Sequence, residues 1–265
     1  MVWATRWGGS PWAAATSLSD ITPAWTAQEE GHFAAEYLLP ALKDAGCGDV
    51  GILAWDHNKE GLIRRAAGTL SVPGAVEAVR GFALHWYTGD HFDALRAARE
   101  LWPDKELWFT EGCVEYGRFG GMTALDKAEM YAHDILGNLN AGICGSIDWN
   151  LLLDAKGGPN YAGNFCEAPA MLTEDGQDFA LQSQYYYIGH FSRFIRPGAV
   201  CLAVSAWSAD VETTAFENPD CTHVLVALDR TGTALPVSVV DGNDAVTFQL
   251  PAHSIATLEV PSTHC

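Results

Sequence analysis

The sequence is short of basic side chains. It holds 15 lysines and arginines against 33 aspartates and glutamates, a formal net charge of −18 at pH 7 over 265 residues. Nucleic acids and anionic membrane surfaces are bound through clustered Lys and Arg, so this balance excludes both as predicted partners. A neutral or cationic ligand suits the charge better.

Long apolar runs and paired cysteines are also missing. No stretch reaches the roughly 18 apolar residues of a membrane span. The N-terminus lacks a charged segment followed by an apolar one, so neither a transmembrane segment nor a signal peptide is predicted. The seven cysteines are scattered, odd in number and without a C-x-x-C pair. This favours mostly free, buried thiols over a disulfide framework or a zinc site.

The histidines likewise give no metal signature. His57, His85, His91 and Glu111 lack the spacing that metal ligands show in known motifs. We therefore predict no metal and no other cofactor.

Short apolar runs alternate with helical patterns between residue 26 and Pro197. Thr26 and Glu29 form a capping box that begins a helix, and Gly46 ends it. The sequence then predicts strands over 50–55, 81–87, 106–111 and 145–152, and helices over 60–79 (interrupted near Pro73), 90–102, 123–141 and 180–194. This alternation predicts βα units with a parallel sheet.

After Pro197-Gly198 the pattern alternates with a period of two. The predicted strands are 223–229, 235–240, 245–250 and 254–260, with turn residues between them. Such a region is typical of an antiparallel β-sandwich. We expect an irregular segment at 1–25, an α/β part at 26–197 and a β-sandwich domain at 198–265.

Polar and aromatic side chains follow the ends of the predicted parallel strands. Reactive groups in parallel α/β sheets and barrels lie at these C-terminal ends. The residues concerned are Trp55, Asp56, His57 and Asn58 at the end of the first strand, His85, Trp86 and Tyr87 in the second, Thr110 and Glu111 in the third, and Asp148, Trp149 and Asn150 in the fourth. Carboxylates, amides and flat aromatic faces are groups that bind sugars, so we predict a sugar site. The structural alternatives are loop capping by the aspartates, a core histidine and packing by the tryptophans.

Glu111 is the strongest catalytic candidate. It ends the apolar strand ELWFTE, where a carboxylate is costly unless it has partners or a chemical role. We therefore expect a catalytic function at this position.

These strand ends, in this order, resemble family 30 of the glycoside hydrolases, the group that contains glucosylceramidases. The resemblance runs from about Thr26 to the end of the chain. It is carried by TAQEEGHFAAEYLLPAL, WDHNKE, GFALHWY, LWFTEGCVE, DWNLLLDAKGGPNYAGNF, YYIGHFSRFIRPGA and LPAHSIATLEV. The resemblance implies a (β/α)8 TIM barrel with an attached β-sandwich, and a retaining β-glycosidase that acts through two carboxyl groups.

The resemblance also implies roles for individual residues. Glu111 corresponds to the nucleophile, and hydrogen-bond donors around it should keep its pKa low, because the nucleophile must be ionised. Substrate contacts are implied for His85, Trp86, Tyr87, Trp149 and Asn164. Asp56, Asp148 and Asn150 are expected to support those residues without touching the sugar.

The sequence departs from the family at the acid/base glutamate. In the family this residue lies in an Asn-Glu-Pro motif at the end of the fourth barrel strand, before the capping box, and residues 1–265 contain no such motif. The four predicted strands therefore match family strands five to eight, half a barrel. We expect a truncated glucosylceramidase-like enzyme that is weak or inactive alone, with residues 1–25 as mismatched sequence.

Three alternatives remain open at this stage. The chain is a carbohydrate-binding fragment without chemistry, a β-1,6-glucanase or xylanase of the same family, or an inert fragment that another polypeptide completes. The expected ligand in the first two cases is a β-linked glucoside or oligosaccharide. Open barrel edges favour self-association, and a secreted or lysosome-like location is implied only for the full-length family.

Overall fold

The computed structural model describes residues 2–3, 25–160, 163–242 and 244–261, with the backbone alone for Val2, Trp3 and Asp244. Most of the segment expected to be irregular, residues 4–24, lies outside this description. Val2–Trp3 forms a short strand.

The strands are numbered in chain order. They are β1 (Val2–Trp3), β2 (Ile52–Asn58), β3 (Val79–His85), β4 (Glu106–Glu111), β5 (Val114–Glu115), β6 (Gly145–Ser146), β7 (Leu152–Leu153), β8 (Cys166–Glu167), β9 (Ala170–Leu172), β10 (Phe179–Leu181), β11 (Val200–Leu202), β12 (Val211–Glu217), β13 (Thr222–Asp229), β14 (Leu235–Asp241), β15 (Asp244–Leu250) and β16 (Ser254–Pro261).

The helices are numbered in the same way. They are α1 (Ala27–His32), α2 (Leu39–Asp44), α3 (Leu62–Leu70), α4 (Ala75–Ala78), α5 (Phe92–Leu101), α6 (Tyr116–Phe119), α7 (Ala124–Asn140) and α8 (Ser183–Ser192). A π-helical turn, Phe33–Leu38, joins α1 to α2. The predicted capping box is present, since Thr26 Oγ1 accepts from Glu29 N and the Glu29 carboxylate accepts from Thr26 N.

The first of two compact units is formed by described residues among 1–113, 141–149 and 160–164. Its sheet has the order β1-β2-β3-β4-β6, with every neighbouring pair parallel. Helix α3 packs on β2 and β3. The core side chains Leu53, Phe82, Leu84 and Leu107 are at most 2% exposed, as expected for strands covered on both faces. The predicted parallel sheet is confirmed.

A bulge shapes the carboxyl end of β2. Strand β2 has an extra residue at Asp56, between Trp55, which pairs with Ala83, and His57, which pairs with Leu84. Trp55 and Asp56 have φ angles of 78° and 48°. Left-handed conformations of non-glycine residues cost of order 1–3 kcal/mol each and persist only where the surroundings enforce them. A bulge of this kind redirects a side chain.

The second unit contains described residues among 114–140, 150–159 and 165–265. Its main sheet has the antiparallel order β11-β12-β13-β16, and β14 pairs with β15 in a hairpin. Helices α7 and α8 belong to this unit. Their side chains Leu136 and Phe191 share a buried cluster with Val224, Val226 and Leu228 of β13.

Several sequence predictions need correction. The predicted strand over 145–152 is only two residues long, although Ile147 N still donates to Phe109 O at 2.9 Å. Strands β11 and β12 were missed; β12 buries Thr214 beside Ala215 and Phe216, so it shows no apolar alternation. Among the described cysteines five are free, but only two of them are buried. Cys221 is disulfide-bonded.

Membrane crossing is not indicated by any described helix, since none of them combines the necessary length and apolar character.

Gly81, in the centre of β3, provides a test of how closely the parallel strands approach. A Cβ at this position would lie 2.1 Å from the backbone oxygen of Glu106. Gly81→Ala should lower the free energy of unfolding by about 1–3 kcal/mol, measured by urea denaturation, because overpacking forces backbone shifts. At Gly121 a Cβ meets no atom within 4 Å. Gly121→Ala should therefore change this free energy by less than about 0.5 kcal/mol. Equal effects of both changes would contradict the β3–β4 register.

Candidate active site

The carboxyl ends of β2, β3 and β4 bring three predicted site residues together. The β3–β4 register places His85 opposite Glu111, after a shift between Leu84 and His85. The bulge in β2 directs Asp56 to the same place, where its Oδ1 lies 2.9 Å from His85 Nε2. The carboxyl ends of these strands thus bring two carboxylates and an imidazole together.

Glu111 is largely withdrawn from water and has two polar neighbours. Its side chain is 19% exposed. Tyr87 OH donates to Glu111 Oε1 at 3.1 Å, and His85 Nδ1 lies 3.9 Å from the same oxygen. At that separation the imidazole interacts with the carboxylate mainly through its charge when it is protonated.

Burial raises the pKa of Glu111 above its ordinary value of 4.5. The charge of His85 and the hydrogen bond from Tyr87 lower the pKa, and the charge of Asp56 raises it. The expectation that hydrogen-bond donors would keep this pKa low is therefore wrong. A donor is present in Tyr87, but loss of hydration is the larger effect.

Asp56 and His85 form a fixed pair. Asp56 Oδ1 also accepts from Thr110 Oγ1 at 2.8 Å, so one carboxylate oxygen links β2, β3 and β4. A carboxylate at Nε2 makes that nitrogen the donor and fixes the plane of the imidazole. Nδ1 therefore faces Glu111 in a defined orientation.

Tyr87 is fixed at both ends. Its backbone N–H donates to Asn58 Oδ1 at 2.9 Å, and its hydroxyl lies 3.3 Å from Cys113 Sγ as well as 3.1 Å from Glu111. Burial raises the pKa of Tyr87 well above its usual value of 10.0, and the charges of Cys113 and Glu111 add to this effect. The phenol therefore remains a hydrogen-bond donor at neutral pH.

His57 stacks beside this network. Its ring lies 6.2 Å from that of His85 at an interplanar angle of 17°, and 4.9 Å from that of Trp55. Its Nδ1 is buried without a hydrogen-bond partner in the described part of the chain. Burial, followed by the charge of His85, lowers the pKa of His57 below 6.5, so this ring is neutral at pH 7.

The remaining predicted residues are less directly connected to Glu111. Trp86 is 7% exposed and packs edge-on against Phe109, so its ring presents little surface to a sugar. Trp149 and Asn164 are half-buried in the first unit, and the backbone N–H of Trp149 donates to Gly112 O at 3.1 Å, next to Glu111.

Asp148 and Asn150, which were expected to support the site, lie in different units. Asp148 belongs to the first unit and has one buried carboxylate oxygen. Asn150 belongs to the second unit and has a φ of 72°.

Three residues of the network were not assigned roles from the sequence. They are Asn58, Thr110 and Cys113. A signal existed for two of them, because Asn58 follows Asp56 by two positions and Thr110 immediately precedes Glu111. Cys113 gave no signal beyond its proximity in the chain.

Among the described residues, no three His, Cys, Asp or Glu side chains are arranged to hold a metal ion.

Glu111→Gln should show that the buried charge costs stability. A carboxyl whose pKa is raised on folding stabilises the protein only when protonated, and that contribution is lost as pH rises through the folded-state pKa. At pH 7 the Gln variant should therefore have the higher free energy of unfolding. The advantage should shrink as pH falls towards and below 4.5, where the carboxyl is protonated in both states. Urea denaturation across this pH range measures the difference, and an advantage independent of pH contradicts the burial argument.

Comparison with known proteins places this geometry in a family. The model of the glycosyl hydrolase family 30 TIM-barrel domain matches residues 3–195, and that of the family 30 beta sandwich domain matches residues 198–258. The first match begins well before Thr26, where the sequence resemblance was placed. The two matches together confirm the predicted fold class, part of a TIM barrel followed by a β-sandwich.

Individual relatives agree with the family models. Lysosomal acid glucosylceramidase of Mus musculus is 34% identical over 224 residues, covering 82% of this chain and 43% of that protein. The crystal structure of SrfJ from Salmonella typhimurium superposes with a TM-score of 0.86 at 37% identity, over 90% of this chain and 53% of that one. The endo-β1,6-glucanase BT3312 gives a TM-score of 0.81 at 27% identity, over 90% and 54%. The chain spans about half the length of these relatives, and it belongs to family 30 of the glycoside hydrolases.

Proposed function

We propose that the chain carries the nucleophile of a retaining, glucosylceramidase-like β-glycosidase. Glu111 is the proposed nucleophile, and β-glucosides such as glucosylceramide are the proposed substrates. The main support is the position of Glu111, a largely buried carboxylate at a parallel strand end that accepts from Tyr87 and faces His85. The likeness to a glucosylceramidase supports the choice of substrate.

The proposed reaction is a double displacement. Glu111 attacks the anomeric carbon while the bond to the leaving oxygen breaks, and water then releases the sugar from the ester. The transition state resembles an oxocarbenium ion, whose positive charge a poorly hydrated carboxylate stabilises strongly. The same desolvation that raises the pKa of Glu111 therefore favours the charge that develops on the sugar.

Each neighbour has a proposed part in this step. Tyr87 donates to the carboxylate and orients it, and Asp56 keeps the imidazole of His85 beside it. Trp149 and Asn164 are proposed to contact the sugar, with Asp148 and Asn150 as supports. Trp86 is not included among the sugar contacts, because its ring is buried.

The second carboxyl group of a retaining enzyme lies about 5–5.5 Å from the nucleophile and acts as acid and base. Residues 1–265 contain no Asn-Glu-Pro, the motif in which the family carries it. We propose that the chain alone forms the glycosyl ester only from substrates whose leaving group needs no proton. General acid–base catalysis contributes about 10²–10⁴ in rate, so natural glucosides should react very slowly.

A second substrate class has specific support. The likeness to an endo-β1,6-glucanase at 27% identity favours β-1,6-linked glucans as the alternative. The two candidates share the proposed nucleophile and differ in the leaving group, an alcohol on a lipid or a sugar hydroxyl.

The domain division is also proposed to follow the family. Matches to residues 3–195 and 198–258 support a boundary near Pro197-Gly198. The barrel part carries the proposed chemistry.

Covalent trapping tests the nucleophile. A 2,4-dinitrophenyl 2-deoxy-2-fluoro-β-glucoside should add one fluoroglucosyl group to the peptide that contains Glu111, since dinitrophenolate leaves without a proton. Mass spectrometry of the digested protein locates the label. Glu111→Gln should abolish it. The matched control is Glu106→Gln, the same change at the opposite end of β4, which should label like the native chain.

Further substrates separate the alternatives. With 2,4-dinitrophenyl β-glucoside, release of dinitrophenolate should be limited to about one equivalent, and azide, which needs no base, should restart turnover and give β-glucosyl azide. Calorimetric binding of glucose or glucosylceramide without labelling would support a carbohydrate-binding fragment instead. Labelling by a fluorinated β-1,6-linked disaccharide reagent in preference to the glucoside would favour the glucanase.

Self-association through the sheet edges is a further proposal. In the described sheet the outer strands β1 and β6 are two residues long and each has one neighbour. Unpaired strand edges invite pairing with another chain. Sedimentation velocity should show concentration-dependent oligomers, and Ser146→Lys on β6 should reduce them. Ser205→Lys, in an exposed loop, should not. A native chain that stays monomeric at all concentrations contradicts the proposal.

A further inference from the structure

The bulge in β2 supplies two separate contacts to the active site. Asp56 contacts Nε2 of His85, and Nδ1 of the same ring faces Glu111. Asn58 accepts the backbone N–H of Tyr87, and the hydroxyl of Tyr87 donates to Glu111. The position of both partners of Glu111 therefore depends on the path of the chain through residues 55–58.

That path is unfavourable by itself. Trp55 and Asp56 are consecutive non-glycine residues with φ values of 78° and 48°. Left-handed residues are usually single and usually Gly or Asn, so external contacts must hold this pair in place.

The contacts that hold Trp55 come from α1 and α3. Glu30 Oε1 accepts the backbone N–H of Trp55 at 2.8 Å, and the guanidinium of Arg65 lies 4.7 Å from its ring centre. Gly61 also packs closely on this ring, since a Cβ at that position would lie 2.5 Å from the indole. The indole N–H donates to Asn58 O at 3.0 Å.

Glu30 and Arg65 are themselves buried and joined. Each is 8% exposed, and Arg65 Nη2 lies 3.4 Å from Glu30 Oε2, which also accepts from Thr69 Oγ1 at 3.2 Å. Arg65 Nη1 donates to Trp25 O at 3.0 Å. The other carboxylate oxygen of Glu30 accepts the backbone N–H of Trp55, the first left-handed residue.

We propose that Glu30 and Arg65 are positioning residues for the nucleophile. They hold the β2 bulge, and the bulge holds His85 and Tyr87 against Glu111. Neither residue touches the site, and the inference rests on the proposed role of Glu111. If Glu30 and Arg65 served only to join α1 to α3, Glu30 would have no need to accept the N–H of Trp55.

The test compares Glu30→Ala with Glu30→Gln in the full chain. Gln keeps an oxygen for the N–H of Trp55, whereas Ala removes it. Labelling by the fluoroglucoside should slow at least tenfold in Glu30→Ala at saturating reagent, with little change in the half-saturating concentration. Glu30→Gln should lose clearly less than Glu30→Ala, because the amide keeps an acceptor for the N–H of Trp55 although a neutral hydrogen bond is roughly half as strong as a charge-assisted one. Glu106→Gln remains the matched control.

A spectroscopic measurement separates positioning from catalysis. The Nε2 proton of His85, donated to Asp56, should give a protected NMR signal in the native chain and in Glu30→Gln, and exchange rapidly in Glu30→Ala. If Glu30→Ala does not fold, Glu30→Ala/Arg65→Met removes both buried charges together and carries the same expectations. A folded variant without the acceptor that keeps both the labelling rate and the His85 signal overturns the inference. If the native chain is not labelled at all, the proposed function fails, while the NMR comparison still decides the positioning.

Discussion

A carboxylate that has lost most of its water, at the end of a parallel strand, sets the requirements for the rest of the first unit. Glu111 keeps one hydroxyl donor and one imidazole within reach, and these reduce the cost of its burial without cancelling it. Both partners must therefore be held firmly, because a small displacement of either would leave the buried charge with less compensation. The fixed Asp56–His85 pair and the doubly held Tyr87 meet this requirement.

The partners of Glu111 are held through a strained backbone at Trp55 and Asp56 and through a buried ion pair between Glu30 and Arg65. The left-handed pair Trp55 and Asp56 stores unfavourable backbone energy where the site needs a redirected side chain. The ion pair between Glu30 and Arg65 lies one layer further out and adds little to stability beyond offsetting its own desolvation. Active sites commonly carry such local costs, which the remainder of the fold must exceed.

Sequence patterns predicted the elements better than their irregularities. The range 106–111 was predicted for β4 and observed, because a buried central strand reads as a continuous apolar run. Strand β2 was predicted to end at residue 55 but continues to Asn58 through a bulge. The bulge was missed because the sequence Trp-Asp-His contains no glycine to indicate left-handed residues. The direction of the Glu111 pKa shift was missed for a related reason. Donors can be named from sequence, but the degree of burial that outweighs them cannot.

The burial of Glu30 and Arg65 could have been predicted from the sequence. Arg65 falls on the buried stripe of α3, together with Leu62, Ala66 and Thr69, at helical spacing. Glu30 and Ala34 are buried four residues apart. A charged side chain on an apolar stripe indicates a buried partner, although only coordinates reveal that the partner is 35 residues away and that both contact a third element.

The elevated pKa of Glu111 also bears on the kind of molecule that binds beside it. A ligand with a positive charge at the ring position that faces the carboxylate replaces the missing hydration with an ionic partner and draws the carboxyl into its charged form. Where the Glu111 carboxyl is protonated, binding of such an amine-containing sugar mimic would release its proton. Its affinity accordingly strengthens as the solution is made less acidic, up to the point where the amine itself becomes neutral.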